Sequence, residues 1–428
     1  MVIKFAGRAV PAIAAMAACM LLPGAAFGVE AAAAAAATAV AAASSEPAAA
    51  PAGTLVIVGG ALRADNADVW SRIVALSGGP GARIAVLPTA AGNPARSGEQ
   101  IAAALRRYGA DPFIAPIAPR MAGSDYRQAA EDAALAQRIR QAGGVYFAGG
   151  DQGRITQALL RADGSRTAAL KAMWDMYRRG GMVAGTSAGA AIMSTTMFDD
   201  APPVWDALRR GLQPEKSLSP GLGFIGGGVF IDQHFLIRGR LARMVPAMMN
   251  KGYRVGFGVD ENSALVVRQQ RQAEVIGYKG VLMVDLSEAA AAPVAGAFGA
   301  RAVKLSYLDH GDQLDLATGV HKPGPDKEAA IAAGDPPSNK GPLYSNDILG
   351  NNAVLDLMER LVDSDQQEAF GLASGDPRST APETAFGFRF TRTPQTLAYP
   401  SSTSSAYSIR DVRLDIVPLP MRRELQTR

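Results

Sequence analysis

The chain has 428 residues, 48% of them hydrophobic, so it can bury a sizeable core in one large domain or in two or three smaller ones. It contains one cysteine and three histidines, which excludes a disulfide framework, a cysteine-rich zinc site and a metal centre built from several histidines. The formal net charge of +4 is too small to indicate a nucleic-acid partner. We therefore expect no metal and no nucleic acid.

Residues 1–28 have the pattern of a secretory signal peptide. Lys4 and Arg8 precede an apolar run from Ala9 to Leu22, and small residues follow it. Because this run is too short to span a membrane, we expect cleavage and a secreted or periplasmic protein. The single cysteine, Cys19, lies in this leader and resembles a lipoprotein attachment site, but apolar residues continue beyond it, so we favour cleavage over lipidation. The Ala-rich residues 29–53 predict a flexible linker.

Residues 54–310 predict an α/β domain. Helical patterns alternate with short runs rich in β-branched residues, at 54–58, 83–87, 112–117, 144–147 and 181–184. This alternation is typical of a parallel sheet covered on both faces, in which functional sites form at the carboxyl ends of the strands. Closely spaced extended runs at 254–259, 263–268, 273–277, 281–286 and 303–308 then predict an antiparallel or mixed edge that continues the same domain. Residues 311–428 are polar and rich in Pro and Gly, with one helical piece and one late strand, and we treat them as a C-terminal extension of unknown role.

A candidate nucleophile lies after the run at 181–184. Gly185, Ser187 and Gly189 form a G-x-S-x-G pattern between an apolar strand and an Ala-rich helix start. Such a sharp strand-to-helix turn strains the serine backbone, and side chains two positions before and after it would collide. The alternative is a Gly-rich turn that only packs a helix closely against the sheet.

A second Gly-rich strand end, FAGGDQ, occupies residues 147–152. Its glycines would let an N–H group approach a substrate carbonyl, which is the geometry of an oxyanion hole. Alternatively the segment is a plain helix start capped by Asp151, and both interpretations can hold together.

The histidines leave one candidate for a general base. His310 lies in a polar turn and His321 in a Pro- and Gly-rich loop, so both are predicted to be solvent-exposed, whereas His234 directly follows an apolar strand. The acid that would orient this imidazole is Asp260 or Glu261, and strand geometry does not choose between them. The order Ser, His, acid differs from that of an α/β-hydrolase, and an esterase of that class would need His310 or His321 as its base.

Four segments in this order resemble the cyanophycinase family: FAGGDQ, GTSAGAAIM, IDQHFLIRGRLARM and GFGVDENSAL. The family comprises serine hydrolases of the peptidase S51 group, related to aspartyl dipeptidase. The resemblance spans about residues 55–308. It implies a flavodoxin-like, glutaminase-like, doubly wound and mostly parallel sheet with a nucleophile elbow. The leader suggests the exported branch of the family.

The resemblance also implies an activity. Ser187 would be the nucleophile, His234 the base and Glu261 the residue that orients it, with the oxyanion held by the N–H groups of Gly150 and Ala188. No cofactor is implied. The substrate would be cyanophycin, a polyaspartate with arginine amide-linked to its β-carboxyls, cut to β-Asp-Arg dipeptides through an acyl-enzyme. The implied substrate-binding residues are Gln152, Asp232, Gln233, Arg238, Arg240 and Arg243.

The residue types near His234 suit such a substrate. Arg240 and Arg243 would share a helix face, and guanidinium groups bind carboxylates. Alternatively these arginines form a solvated basic face, and Asp232 binds either a substrate guanidinium or one of them.

Two other functions stay open at this stage. One is an aspartyl or isoaspartyl dipeptidase that acts on small Asp-containing peptides, and the other is a noncatalytic binding module that uses the Gly-rich strand ends as an anion cradle. The C-terminal extension is compatible with an extra sheet edge, a homodimer contact or a contact with polymer granules.

Overall fold

The computed structural model describes residues 51–294, 296–331, 339–375 and 385–419, all within one compact unit. The predicted signal peptide, Cys19 and most of the predicted linker lie outside the described residues. Within the described ranges, no helix combines the length and apolar character needed to cross a membrane.

The helices are α1 (Ala67–Leu76), α2 (Pro94–Arg107), α3 (Tyr126–Glu131), α4 (Ala133–Gln141), α5 (Gln152–Leu159), α6 (Ala168–Arg178), α7 (Ala188–Ala191), α8 (Val204–Arg210), α9 (Pro214–Ser217), α10 (Leu241–Lys251) and α11 (Ala353–Val362), with a 3-10 turn at Leu236–Arg238. The strands are β1 (Thr54–Val58), β2 (Arg83–Leu87), β3 (Asp111–Ile114), β4 (Gly144–Phe147), β5 (Met182–Thr186), β6 (Thr196–Phe198), β7 (Leu218–Pro220), β8 (Val229–Gln233), β9 (Val255–Val259), β10 (Ser263–Arg268), β11 (Gln272–Gly277), β12 (Val281–Asp285), β13 (Ala290–Ala291), β14 (Ala300–Leu308), β15 (Gln313–Asp315), β16 (His321–Lys322), β17 (Leu343–Ser345), β18 (Glu368–Ala373), β19 (Ala385–Thr391), β20 (Leu397–Pro400) and β21 (Tyr407–Leu419).

The first sheet has nine strands in the order β16, β15, β11, β10, β1, β5, β4, β2, β3. Strands β1 to β5 pair in parallel, and β10, β11, β15 and β16 add an antiparallel edge. Along β1, Leu55 and Ile57 belong to one buried cluster and Val56 and Val58 to another, so the sheet is covered on both faces. The predicted mostly parallel, doubly wound α/β sheet is confirmed.

The second sheet has ten strands, eight of them in the order β17, β18, β19, β21, β14, β12, β9, β8, with β13 and β20 paired to β14 and β21. The five extended runs predicted as an antiparallel or mixed edge divide between the two sheets: β10 and β11 join the first, and β9, β12 and β14 join the second. Short extended runs made these strands recognisable in the sequence, but such a run does not say which sheet a strand joins.

Residues beyond 310 contribute to both sheets. Strands β15 and β16 extend the edge of the first sheet, and β17 to β21 belong to the second, where β21 pairs with both β14 and β19. The predicted domain boundary at residue 310 and the role of the extension stay predictions.

Candidate active site

Ser187 occupies a strained turn between β5 and α7. Its φ of 53° and ψ of −112° lie where non-glycine residues are rarely found. A Cβ on Gly185 would come within 2.1 Å of the Gly189 carbonyl oxygen, and one on Gly189 would lie 2.5 Å from the Phe147 carbonyl oxygen. Both glycines are therefore required for the turn that presents the serine at the carboxyl end of the parallel sheet.

His234 reaches the serine from the other sheet. It directly follows β8, has a φ of 46°, and donates its backbone N–H to the Gly59 carbonyl at the end of β1 (2.7 Å). Its Nε2 lies 2.8 Å from Ser187 Oγ. A Cβ on Gly60 would come within 2.2 Å of the imidazole ring, so only glycine fits there.

Gly59 and Gly60 were not among the residues predicted from the sequence. Their signal is the pair of glycines that directly follows the apolar run TLVIV, at a third carboxyl strand end. Three strand ends of the first sheet thus carry the glycines that let the serine and the imidazole approach each other.

The acid beside the imidazole is Glu261. Its Oε1 lies 2.5 Å from His234 Nδ1, whereas the buried Asp260 accepts the Leu236 N–H through Oδ1 (2.9 Å). A carboxylate at this position fixes the tautomer with a proton on Nδ1, which leaves Nε2 as the acceptor that faces Ser187. Asp260 instead holds the 3-10 turn behind the histidine.

Burial shifts the pKa values of Asp260 and His234 in opposite directions. It raises the pKa of Asp260 to about 7, since the Leu236 N–H and Lys279 compensate only partly and its Oδ2 has no hydrogen-bond partner among the described residues. Burial lowers the pKa of His234, and the positive charges of Arg238 and Arg240 lower it further. The hydrogen bond to Glu261 acts in the opposite direction and raises this pKa. The imidazole is therefore held neutral near pH 7, as a general base requires.

The other two histidines lie elsewhere. The half-exposed His310 is 3.2 Å from Asp68, whereas the His321 side chain is buried 3.1 Å from Asp312. The prediction that His321 is solvent-exposed was wrong, because β16 carries it into a cluster with the ring of Tyr399.

The predicted oxyanion donors flank the serine. A Cβ on Gly149 would lie 3.2 Å from Ser187 Cβ, so the β4 end contacts the nucleophile directly. Gly150 has a φ of 141°, and none of the described carbonyls accepts its N–H. Ala188 begins α7, where the first N–H groups have no intrahelical acceptor. Asp151 also caps α5, since it accepts the Gly153 N–H (3.0 Å), so the segment is a helix start as well.

Asp232, Arg240 and Arg243 form a buried ion network beside the site. Arg243 makes two hydrogen bonds to the Asp232 carboxylate (2.7 and 2.9 Å), and Arg240 donates to Asp232 (3.1 Å) and to the Gln233 carbonyl (2.7 Å). Both arginines are only 8% exposed, so the alternative of a solvated basic face was wrong for them, although Arg238 is exposed. Of the two partners predicted for Asp232, a substrate guanidinium or a neighbouring arginine, the structure shows the arginines. Contact of these three residues with a substrate stays a prediction.

The remaining predicted substrate residues lie in different settings. Gln233 places Oε1 3.5 Å from Ser187 Oγ, and Gln152 donates to the Phe198 carbonyl at 2.5 Å. Arg238 is exposed and makes no ion pair within the described part of the chain. Of the predicted arginines, it is the one whose guanidinium is available to a ligand.

A cavity of about 730 Å³ opens beside Ser187 and His234. On its floor the rings of Trp70 and Tyr146 stack 5.5 Å apart. The cavity is lined by Ala61, Leu62, Ala64, Trp70, Ser97, Gln100, Ile101, Ala103, Ala104, Arg107, Tyr146, Gly149, Thr186, Ser187 and His234. The described residues include no group of three His, Cys, Asp or Glu side chains that could hold a metal ion.

Known proteins resemble this chain over the same region. A cyanophycinase from Geminocystis herdmanii is 29% identical over 64% of this chain and 96% of its own, and one from Trichormus variabilis is 28% identical over 61% and 85%. A peptidase from an acI-B1 Actinobacterium superposes with a TM-score of 0.46 at 21% identity, covering 62% of this chain and 98% of that one. The model of peptidase family S51 matches residues 55–275, more than half of the chain. The chain therefore belongs to peptidase family S51 and is a serine-type peptidase.

Proposed function

We propose that this peptidase is exported and degrades cyanophycin to β-Asp-Arg dipeptides. The observation that carries the catalytic part is the hydrogen-bonded series Ser187, His234 and Glu261, with distances of 2.8 and 2.5 Å. The choice of substrate is supported by the similarity to curated cyanophycinases. Export rests on the signal-like residues 1–28.

The mechanism follows from the geometry. Neutral His234 takes the proton of Ser187 as the serine oxygen attacks the carbonyl carbon of the scissile amide. The resulting oxyanion accepts hydrogen bonds from the N–H groups of Ala188 and Gly150. Protonated His234 then donates its proton to the leaving amine, which yields an acyl-enzyme and a neutral base. Water then attacks the acyl carbon as the same imidazole takes one of its protons, and His234 returns this proton to Ser187 Oγ as the bond between that oxygen and the acyl carbon breaks.

The charges near the site also favour binding of a substrate carboxylate. Among the described residues that line the cavity beside the serine there is no Asp or Glu, and the positive charge of the exposed Arg238 acts on the His234 imidazole. A carboxylate of the substrate is therefore attracted to this site and meets no like charge among these lining residues.

The test is digestion of insoluble cyanophycin by the purified protein, with the released β-Asp-Arg measured by mass spectrometry. We expect release by the unaltered protein, at least about 10³-fold slower release by Ser187→Ala, and normal release by a control variant at an exposed serine, Ser404→Ala. Clearing of the granules that survives Ser187→Ala would contradict the assigned nucleophile. Cleavage of short Asp-containing peptides with intact granules would instead identify a dipeptidase.

The export part has its own test. Expression in a bacterium with a periplasm, followed by fractionation and N-terminal sequencing, should give a periplasmic or secreted chain that begins after the leader. A chain that keeps its leader and stays in the cytoplasm would contradict export.

A further inference from the structure

The cavity beside Ser187 continues along one face of α2. Ser97, Ile101 and Ala104 of this helix line it at intervals of three and four residues, and Arg107 follows at the next interval. Ten residues separate Ser97 from Arg107, which corresponds to about 15 Å of helix. Helix α2 begins at Pro94, after the carboxyl end of β2, which is the edge of the sheet at which Ser187 follows β5. The cavity therefore forms a groove that runs from the serine along α2 towards Arg107 in its last turn.

Arg107 is held at the far end of this groove by its neighbours. Its guanidinium lies 5.8 Å from the centre of the Tyr108 ring, and Tyr108 donates its hydroxyl to the Ala64 carbonyl (3.2 Å). Ala64 lines the groove from the opposite wall, in the loop that follows β1. The Arg107 guanidinium thus contacts the Tyr108 ring and is still exposed to solvent.

The charge of Arg107 is not neutralised within the described part of the chain. Its charge acts on Asp65, whose carboxylate is already engaged by Arg63 at 2.8 and 3.0 Å. Arg107 makes no ion pair of its own there, whereas the adjacent Arg106 pairs with Glu99 (3.6 Å). The groove thus carries an available guanidinium at its far end, and Arg238 provides a second one beside His234.

We propose that this groove is an extended subsite for a polypeptide substrate with carboxylate-bearing branches, in which Arg107 binds a carboxylate several residues away from the scissile bond. The inference rests on the proposed function and deepens it. A β-Asp-Arg unit joins the arginine through its α-amino group, so each arginyl branch of the polymer keeps a free α-carboxylate. An extended chain advances about 3.3 Å per residue, so about 15 Å corresponds to four or five backbone residues.

The subsite predicts a dependence on substrate length. The backbone of a substrate of two β-Asp-Arg units spans about 7 Å when extended, less than the about 15 Å of helix between Ser97 and Arg107, whereas that of eight units spans about 26 Å. The informative quantity is the ratio of kcat/KM for the eight-unit oligomer to kcat/KM for the two-unit oligomer. This ratio isolates the distant contact, because changes in folding or in the catalytic residues affect both substrates alike.

We expect Arg107→Ala to lower this ratio about fivefold through a higher KM for the long oligomer, because an exposed charge pair contributes only modestly. Arg107→Glu should lower it further, and Arg107→Lys should restore part of it. The matched control is Arg106→Ala, one residue away on the same helix, which should leave the ratio unchanged.

The possible outcomes separate a failure of the proposed subsite from a failure of the proposed function. A long oligomer cleaved by Arg107→Glu at the unaltered ratio would overturn the subsite while leaving the proposed function intact. An equal fall for Arg106→Ala would also overturn it, because general surface charge would then explain the effect. If the unaltered protein cleaves neither oligomer, the proposed function fails and the subsite fails with it.

Discussion

At the scale of single residues, adjacent carboxylates have opposite roles because the strand end turns them in different directions. Glu261 contacts the His234 imidazole, whereas Asp260 is buried and bonds the backbone of Leu236. The first environment suits a charged carboxylate that stabilises a transient imidazolium. The second raises the pKa of Asp260 to about 7 and suits a structural group.

This difference gives a prediction for the two amide variants. Glu261→Gln should lower kcat on cyanophycin by about 10²–10⁴-fold, because an amide cannot stabilise the imidazolium and favours the wrong tautomer. The matched control is Asp260→Asn, which keeps an oxygen for the Leu236 N–H and should lower kcat much less. The comparison is made by steady-state kinetics on both variants. A larger loss for Asp260→Asn would mean that Asp260 orients the base.

At the scale of elements, the site depends on turns whose geometry forbids side chains. Ser187 and His234 both have positive φ angles, and glycines occupy the positions that face them. Such strain persists only where the surrounding structure enforces it. The carboxyl ends of β1, β5 and β8 together hold Ser187 and His234 in these strained conformations.

The prediction for this arrangement concerns Gly60→Ala. Gly60 has a φ of 119°, and a Cβ there would lie 2.2 Å from the His234 ring, so the imidazole must move away from Ser187. We expect kcat to fall at least about 10²-fold, since displacement by about 1 Å has an effect of that size. Gly79→Ala is the matched control, because Gly79 also has a positive φ but no atom within 4 Å of the added methyl group. Equal kcat values for the two variants would contradict this role of Gly60.

The sequence indicated those parts of the site that follow local rules. The G-x-S-x-G spacing predicted the strained turn, and the position of His234 after an apolar strand predicted that it lies at a strand end. The pairing of Asp232 with buried arginines could not be chosen in advance, because it depends on where β8 and α10 meet in space. The burial of His321 could likewise not be predicted, because the Tyr399 ring that packs near it lies 78 residues further along the chain.

At the scale of the whole molecule, the site lies where two sheets meet. Ser187 follows a strand of the first sheet, whereas His234 and Glu261 follow β8 and β9 of the second. The bond from the His234 N–H to the Gly59 carbonyl directly joins the two sets of strand ends. The distance between nucleophile and base therefore depends on the integrity of the second sheet as much as on that of the first.

This dependence predicts the effect of removing residues 311–428. Strand β21 pairs along β14, with Val303 opposite Leu414 and Leu305 opposite Val412, and Phe388 and Ile416 are fully buried in the same cluster. A chain ending at residue 310 would expose this cluster and leave β14 without a partner on that side, so we expect aggregation and loss of peptidase activity. The control chain ends at residue 419 and keeps every described strand. Size-exclusion chromatography, thermal unfolding and the cyanophycin assay would compare the two, and a soluble, active chain of 310 residues would show that the catalytic region folds without the extension.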